Sequence, residues 1–428
     1  MKLTRYKLGE LIDVRRGASL SGEYYATEGD LIRLTLGNFD YQGGGFKDNT
    51  SKNDLYFVGP IKQEFILREG DIITPLTEQT PGLLGSTAQI PVSEKYIQSQ
   101  DVALIIPEES KLDKDFCYYL LPSKIVKQQL AAGAQQTKIR HTTPDRIKDL
   151  TVFIPALEDQ RGIGKLLKSI DRKIVLNREI NRNLEAMARQ LYDYWFVQFD
   201  FPDENGRPYK SSGGKMVWNE KLKREIPKGW EDNRLDSLAK IFTGKKDVAK
   251  VIPGPYKFFS CAPDPISSSE YIYDGDVILV SGNGSYTGRV MFYSGKVDLY
   301  QRTYGCINID NQHNLIPFLY CTMKSMFEPY HSGGKHGSSI PYIVLDDLAG
   351  FRFAYHNETV EKFVKLISPV FYKFILKEND ETTSLINQRD ELLPLLMNGQ
   401  VSVMPSEVNC DLAALILRRS STFFKCTV

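Results

Sequence analysis

At 428 residues the chain is too long for one hydrophobic core, so two to four domains are expected. Its 42% hydrophobic and 25% charged content excludes a wholly disordered chain, and the lack of any run approaching eighteen apolar residues argues against a membrane-spanning helix. A net charge of +1 neither favours nor excludes nucleic acid, because a basic face is readily balanced by acids elsewhere.

The opening "MKLTRYKLGELIDV" is charged and holds no apolar run of signal-peptide length, so a soluble cytoplasmic protein is expected. A short helix is predicted over Lys7 to Val14. "EGDIIT" (Glu69 to Thr74) reads as a Gly-Asp turn leading into a strand, and strands are predicted at Val102 to Ile106 and Thr151 to Ile154. Helices are predicted at Lys114 to Leu121 and Ser123 to Leu130. These elements sit among Gly, Asn, Ser and Pro clusters, so residues 1–155 read as a loop-rich α+β domain.

Residues 156–198 carry one apolar stripe without an internal proline. Ile163, Ile170, Asn177, Leu184 and Leu191 mark one heptad position, and Leu166, Lys173, Ile180, Met187 and Tyr194 fall three residues later, the seam of a coiled coil. At 1.5 Å per residue such a helix reaches roughly 60 Å, long enough for a spacer. Pro, Gly and Ser mark 199–230 as a linker. A second α+β domain is expected over 231–356, with strands at Val277 to Val280 and Cys306 to Ile309 and a helix at Ile316 to Met326. A second spacer helix covers 357–400, with Val364, Ile367, Phe371, Leu385, Leu392 and Leu395 on its seam. The tail, 401–428, is unassigned beyond a possible small helix at Cys410 to Arg419.

The order repeats. Leu8, Leu11, Val14 and Gly17 match Leu235, Leu238, Ile241 and Gly244 at an offset of 227. The offset falls to 205 where Glu69 to Thr74 meets Asp274 to Leu279, and to 201 from Gln100 and Gln301 onward, through Gly133 and Gly334 to the helices. Two diverged copies of a globular unit, each followed by a long helix, are expected. Because both helices lie on one chain, they can pair antiparallel as an intramolecular rod, with the globular domains at its ends in a pseudo-twofold. Such a shape suits contact with two sites on a long ligand.

Catalytic motifs are lacking. There is no Pro-Pro dipeptide, hence no (Asp/Asn)-Pro-Pro-aromatic box of amino-methyltransferases, and no GxxxxGK(S/T) phosphate loop. Glu109-Ser110-Lys111 and Asp171-Arg172-Lys173 have the acid-x-lysine spacing of some nucleases, a pattern that chance supplies freely. The six cysteines show no CxxC and the five histidines no HExxH, so no metal site or disulfide framework is expected.

Candidate DNA-binding residues cluster in five places. "GAQQTKIRHTTPDR" offers Gln135, Gln136, Thr137, Lys138 and Arg140, and "GGKHGSSIPY" offers Lys335, His336, Ser338 and Ser339 in the equivalent place of the second copy. Gln suits adenine N6 and N7, and Arg or Lys suits guanine O6 and N7. Arg15-Arg16 and Lys245-Lys246, beside the matched glycines, suit phosphates. "SGNGSYTGRV" presents Ser285, Tyr286, Thr287 and Arg289. On composition alone, solvated surface remains the plainer alternative for all five.

From Lys2 to Val403 the chain resembles the specificity subunits of type I restriction-modification systems. The residues that carry the likeness are the helix opening "IPALEDQRGIGKLLKSIDRKI" with Pro155, Gln160 and Ile174, the lead-in Ile226-Pro227-Lys228-Gly229-Trp230 followed by Leu235, and the ending "LLPLLMNGQ". The resemblance implies that each globular domain reads one half of a split sequence in double-stranded DNA. It also implies that the helices set the gap and dock two methylation subunits, and that restriction motor-nuclease subunits join the complex. S-adenosylmethionine, ATP and Mg would be used by those partners and none bound by this chain. The whole complex would act as a site-specific deoxyribonuclease and DNA adenine methyltransferase. Three departures stand out: the first copy has no Pro-x-Gly-Trp lead-in, the second helix has His356 where Pro155 stands and places Glu378 and Glu381 on its seam, and the tail is unlike a family ending. A non-catalytic DNA-recognition subunit is the expectation. The alternatives are the recognition subunit of a methylation-only complex and a two-headed protein-binding scaffold, which salt-sensitive binding to duplex DNA separates.

Overall fold

The computed structural model describes residues 1–40, 44–49, 52–78, 82–133, 140–262, 264–309, 314–333 and 340–403. The chain divides into two compact units, Met1–Val175 with the chain from Thr383 onward, and Leu176–Thr382. Among the described residues no helix is long and apolar enough to cross a membrane.

In the first unit, strand Thr4–Lys7 pairs antiparallel with Thr151–Ile154, so the start and end of the globular head are tied together. A four-stranded sheet follows in the order Ile12–Arg16, Val102–Pro107, Ile72–Pro75, Ala88–Gln89. The helix expected over Lys7 to Val14 is instead one 3-10 turn, Leu8–Glu10, and the first strand of that sheet. Ile12 and Val14 are β-branched and alternate with more exposed residues, a period of two that a sheet satisfies and a helix does not. Helices Lys114–Leu120 and Lys124–Gly133 form where expected, the first with Asp113 accepting the Phe116 N–H at its N-terminus.

The second unit repeats the plan. Glu231–Arg234 pairs antiparallel with Arg352–Tyr355, and a six-stranded sheet runs Ala239–Thr243, Thr303–Asn308, Tyr273–Ser281, Val290–Leu299, Tyr256–Phe259, Ile266–Ser268. Strand Val290–Leu299 was not expected, because Ser294-Gly295-Lys296 interrupts its apolar pattern. The glycine matched between copies has a steric cause in both. A Cβ on Gly17 would stand 2.2 Å from the Ser99 carbonyl oxygen, and one on Gly244 would stand 1.6 Å from that of Leu299.

The stretch 199–230 is a packed part of this unit and not an open linker. Met216–Asn219 and Arg224–Pro227 form a hairpin, and Phe199, Phe201 and Trp230 are buried in the unit's main core. Trp230 stacks on Phe201 with ring centroids 5.0 Å apart and also on His356 at 5.9 Å, so the residue at Pro155's counterpart position joins an aromatic stack.

The first long helix is Leu157–Tyr192, closed by a π-helical turn over Asp193–Val197. Gln160 locks its start: the side chain accepts the Asp113 N–H (3.0 Å) and donates to the Lys111 and Pro155 carbonyls (3.1 and 2.9 Å). The second runs Asn357–Pro369, a π-helical stretch Val370–Ile375, and Leu376–Met397. The π stretch follows Pro369, whose missing N–H breaks the regular bond pattern.

Pairing is antiparallel within each unit. In the first, Ile163 and Leu167 share a core with Leu396 and Met397, Ile170 and Ile174 pack against Leu385, Ile386 and Leu392, and Arg389 bonds Asp171 at 3.0 Å. In the second, Asn177 donates to Glu381 (2.7 Å) and Asn181 to Asn379 (2.9 Å), while Val364, Ile367 and Phe371 join the core that holds Leu191 and Tyr192. The expected seam is corrected at one position. Ile180 and Met187 are exposed, Met187 at 65%, while Leu167, Ile174, Asn181, Ala188 and Trp195, one residue further on, are buried. Positions i+3 and i+4 flank the same face, and here the i+4 row faces inward. Leu166 and Leu184 are half-buried beside it.

Candidate nucleic-acid interface

The same backbone junction occurs once in each head. In the first, the Leu76 N–H donates to the Asp101 carbonyl (2.8 Å), the Leu76 carbonyl accepts the Thr142 N–H (2.8 Å), and Thr77–Glu78 pairs with Arg140–His141. In the second, the Gly282 N–H donates to the Arg302 carbonyl (2.8 Å), the Gly282 carbonyl accepts the Ile343 N–H (2.9 Å), and Asn283 bridges Tyr342. Each junction gathers the loop after one sheet strand, the turn before another, and the segment after the second short helix. In the second head it brings 281–289 next to the residues flanking 334–339. In the first it brings Arg140 to the loop beginning at Glu78, which the sequence did not nominate.

Arg15-Arg16 end the strand Ile12–Arg16, and Lys245-Lys246 follow closely on the strand Ala239–Thr243. Arg16 donates from Nε to the Gln100 carbonyl (2.9 Å), and Lys246 bridges Tyr300 while its carbonyl accepts the Gln301 N–H (3.2 Å). Each turn therefore joins a dibasic pair to a junction.

The side chains divide by whether the fold already engages them. Thr287 is buried, and its hydroxyl lies 2.6 Å from the Gly284 carbonyl and 2.9 Å from that of Pro341, so it staples the loop. Arg140 pairs at 3.3 Å with Glu78, a buried carboxylate that also accepts the Gly82 and Leu84 N–H groups (3.1 and 2.9 Å). Lys246 is held by Glu270 and by the fully buried Asp298, and these two carboxylates, Glu270 first, raise its pKa. Arg15 bonds Asp13 at 3.0 Å. The Arg289 guanidinium sits 5.7 Å from the Tyr286 ring centroid, and its Nη1 is buried without a partner. Ser285 is exposed, Tyr286 is 45% exposed, and Lys245 is exposed. Gln135, Gln136, Thr137 and Lys138, and Lys335, His336, Ser338 and Ser339, lie outside the described residues, as does the tail's expected helix.

The sequence reading missed Glu78, Asp101 and Arg302. The offset of 201 that pairs Gln100 with Gln301 also pairs Asp101 with Arg302, which was the available signal. Among the described residues no three His, Cys, Asp or Glu side chains are placed to hold a metal ion. Cys117, Cys306 and Cys321 are buried free thiols, and burial pushes those of Cys117 and Cys306 up to about 12.

Comparison with known proteins follows the same lines. Residues 2–186 match the family described as Methylase_S, Type I restriction modification DNA specificity domain. The type I restriction enzyme MjaIX specificity subunit of Methanocaldococcus jannaschii is 23% identical over 329 residues, covering 70% of this chain and 71% of that protein. The EcoDI specificity subunit of Escherichia coli is 28% identical over 189 residues, covering 42% of this chain and 40% of that protein, so less than half of its length is spanned. Among solved structures, the S subunit of a type I restriction-modification system from M. genitalium shares the fold with a TM-score of 0.54 at 18% identity, over 92% of this chain and 96% of that one.

Proposed function

We infer that this chain belongs to the family of type I restriction-modification specificity subunits and is the DNA sequence-specificity subunit of such a system. Each head reads one half of a bipartite site in duplex DNA. The observation that supports this most is the repeated junction: one backbone arrangement, built twice, presents different side chains, as two readers of two different half-sites require. The paired helices set the number of base pairs left unread and dock two methylation subunits. The chain itself is non-catalytic and works in the cytoplasm. S-adenosylmethionine, ATP and Mg act on the methylation and motor-nuclease subunits, which supply the adenine-methyltransferase and deoxyribonuclease activities of the complex.

Lengthening the helices tests the spacing role. Four residues added near Asn177 and four near Asp380 lengthen both by about 6 Å, close to two base-pair rises, and rotate each by about 40°. Both must change, because one alone leaves its seam unmatched. Sites selected from a randomised duplex library should keep both half-sequences while the gap grows by one or two base pairs. Affinity should fall somewhat, since DNA turns as it lengthens. An unchanged gap with helix content intact rules out the spacing role, and altered half-sequences would mean that the helices read bases.

A further inference from the structure

We propose that Arg302 is a specificity-determining residue of the second head and reads a guanine in its half-site. The proposal rests on the reading that the heads bind DNA. Arg302 lies in the turn between strands Val290–Leu299 and Thr303–Asn308. Its carbonyl is held from two sides, by the Gly282 N–H at 2.8 Å and by the Cys261 Sγ at 3.4 Å. A Cβ on Gly282 would stand 2.2 Å from that oxygen, so glycine is what lets the loop bearing Ser285 and Tyr286 close onto the turn. The backbone under Arg302 is therefore fixed.

Its side chain is exposed and, among the described residues, makes no hydrogen bond or ion pair. Nearby Lys246, by contrast, is spent on Glu270 and Asp298, while Lys245 is exposed. A free guanidinium on an anchored backbone presents a planar fork of donors, the complement of guanine O6 and N7 in the major groove.

The first head decides between base and phosphate. At the equivalent position, with the same carbonyl-to-N–H bond at 2.8 Å, it carries Asp101. Both heads face the same polyanion, so a position that gripped phosphate would need a cation in both. A carboxylate there repels phosphate but accepts from the amino group of cytosine or adenine. Opposite charges at one junction fit two different bases.

The test uses the full-length chain assembled with its methylation subunits, carrying the native residue, Arg302→Ala or Arg302→Lys, in site selection from a randomised duplex library at several salt concentrations. With Arg302→Ala, preference for guanine at one position of one half-site should fall roughly 5- to 150-fold, with the other half-site unchanged. Arg302→Lys should keep overall affinity and lose part of that preference. Uniform weakening across all sequences, with a salt dependence shallower by about one, would make Arg302 a phosphate contact and overturn the proposal. Unchanged selection in both variants overturns it as well. If the native assembly enriches no sequence at all, the functional reading fails first, and the proposal with it.

Discussion

Phe196→Ala is expected to destabilise the second unit by about 3–5 kcal/mol. Phe196 sits in the π-helical turn that ends the first long helix and is almost fully buried. Its ring centroid lies 5.0 to 6.4 Å from those of Tyr192, Trp195, Trp230, Phe318 and Phe363. These rings come from the helix, the 199–230 stretch, the head and the second helix, so the cavity would open where four segments meet and could not collapse onto one flexible neighbour. Urea unfolding of the full chain should show the transition of the second unit at lower denaturant and that of the first unchanged. Phe196→Leu, which fills more of the space, should cost clearly less. A loss below about 1 kcal/mol for the alanine variant would show that the rings repack and that this cluster is not what joins helix to head.

Gly244→Ala is expected to cost about 3 kcal/mol or more, through overpacking against backbone. The added methyl would meet the Leu299 oxygen at 1.6 Å and its carbon at 2.2 Å. Neither is the end of a mobile side chain, and the next residues, Lys246 and Tyr300, are bridged, so the strands have little room to part. Gly17→Ala should be harmful by the same mechanism, its nearest contact being 2.2 Å from the Ser99 oxygen. Gly206→Ala serves as the control, since at φ +75 it has no atom within 4 Å of the added methyl and should lose only about 1 kcal/mol from backbone strain. Thermal melting followed by circular dichroism compares the three. A Gly244 variant that melts with the control would mean that the close approach relaxes freely.

The long helices were legible because a stripe sustained over ten turns outweighs any single residue, and Asn177 did not hide it. The inner row beside it was placed one residue early, since Leu166 and Leu167, or Ile180 and Asn181, are equally compatible with a heptad until the partner is known. The helical spacing of Leu8, Leu11 and Val14 hides the strand at Ile12, whose pairing with Val102–Pro107 is distant in sequence. Phe199 to Trp230 read as linker from its Pro and Gly content, although its aromatic residues carry the packing. At the candidate interface the sequence nominates loops but cannot show the state of their side chains. Whether Lys246 or Arg140 is available depends on Asp298 and Glu78, more than fifty residues away, and Thr287 turns out to hold the loop closed. Arg302 went unnoticed because a single arginine in a turn has no pattern; it stands out only when the two copies are laid over each other.

On the proposed function, two heads on one chain read two halves of one DNA site. Sequencing the duplexes that the native, fully assembled complex retains from a randomised library tests it most directly. The expected result is two short fixed sequences separated by an unread gap of constant length. Retention without enrichment of any sequence, or enrichment of one uninterrupted motif, would contradict it.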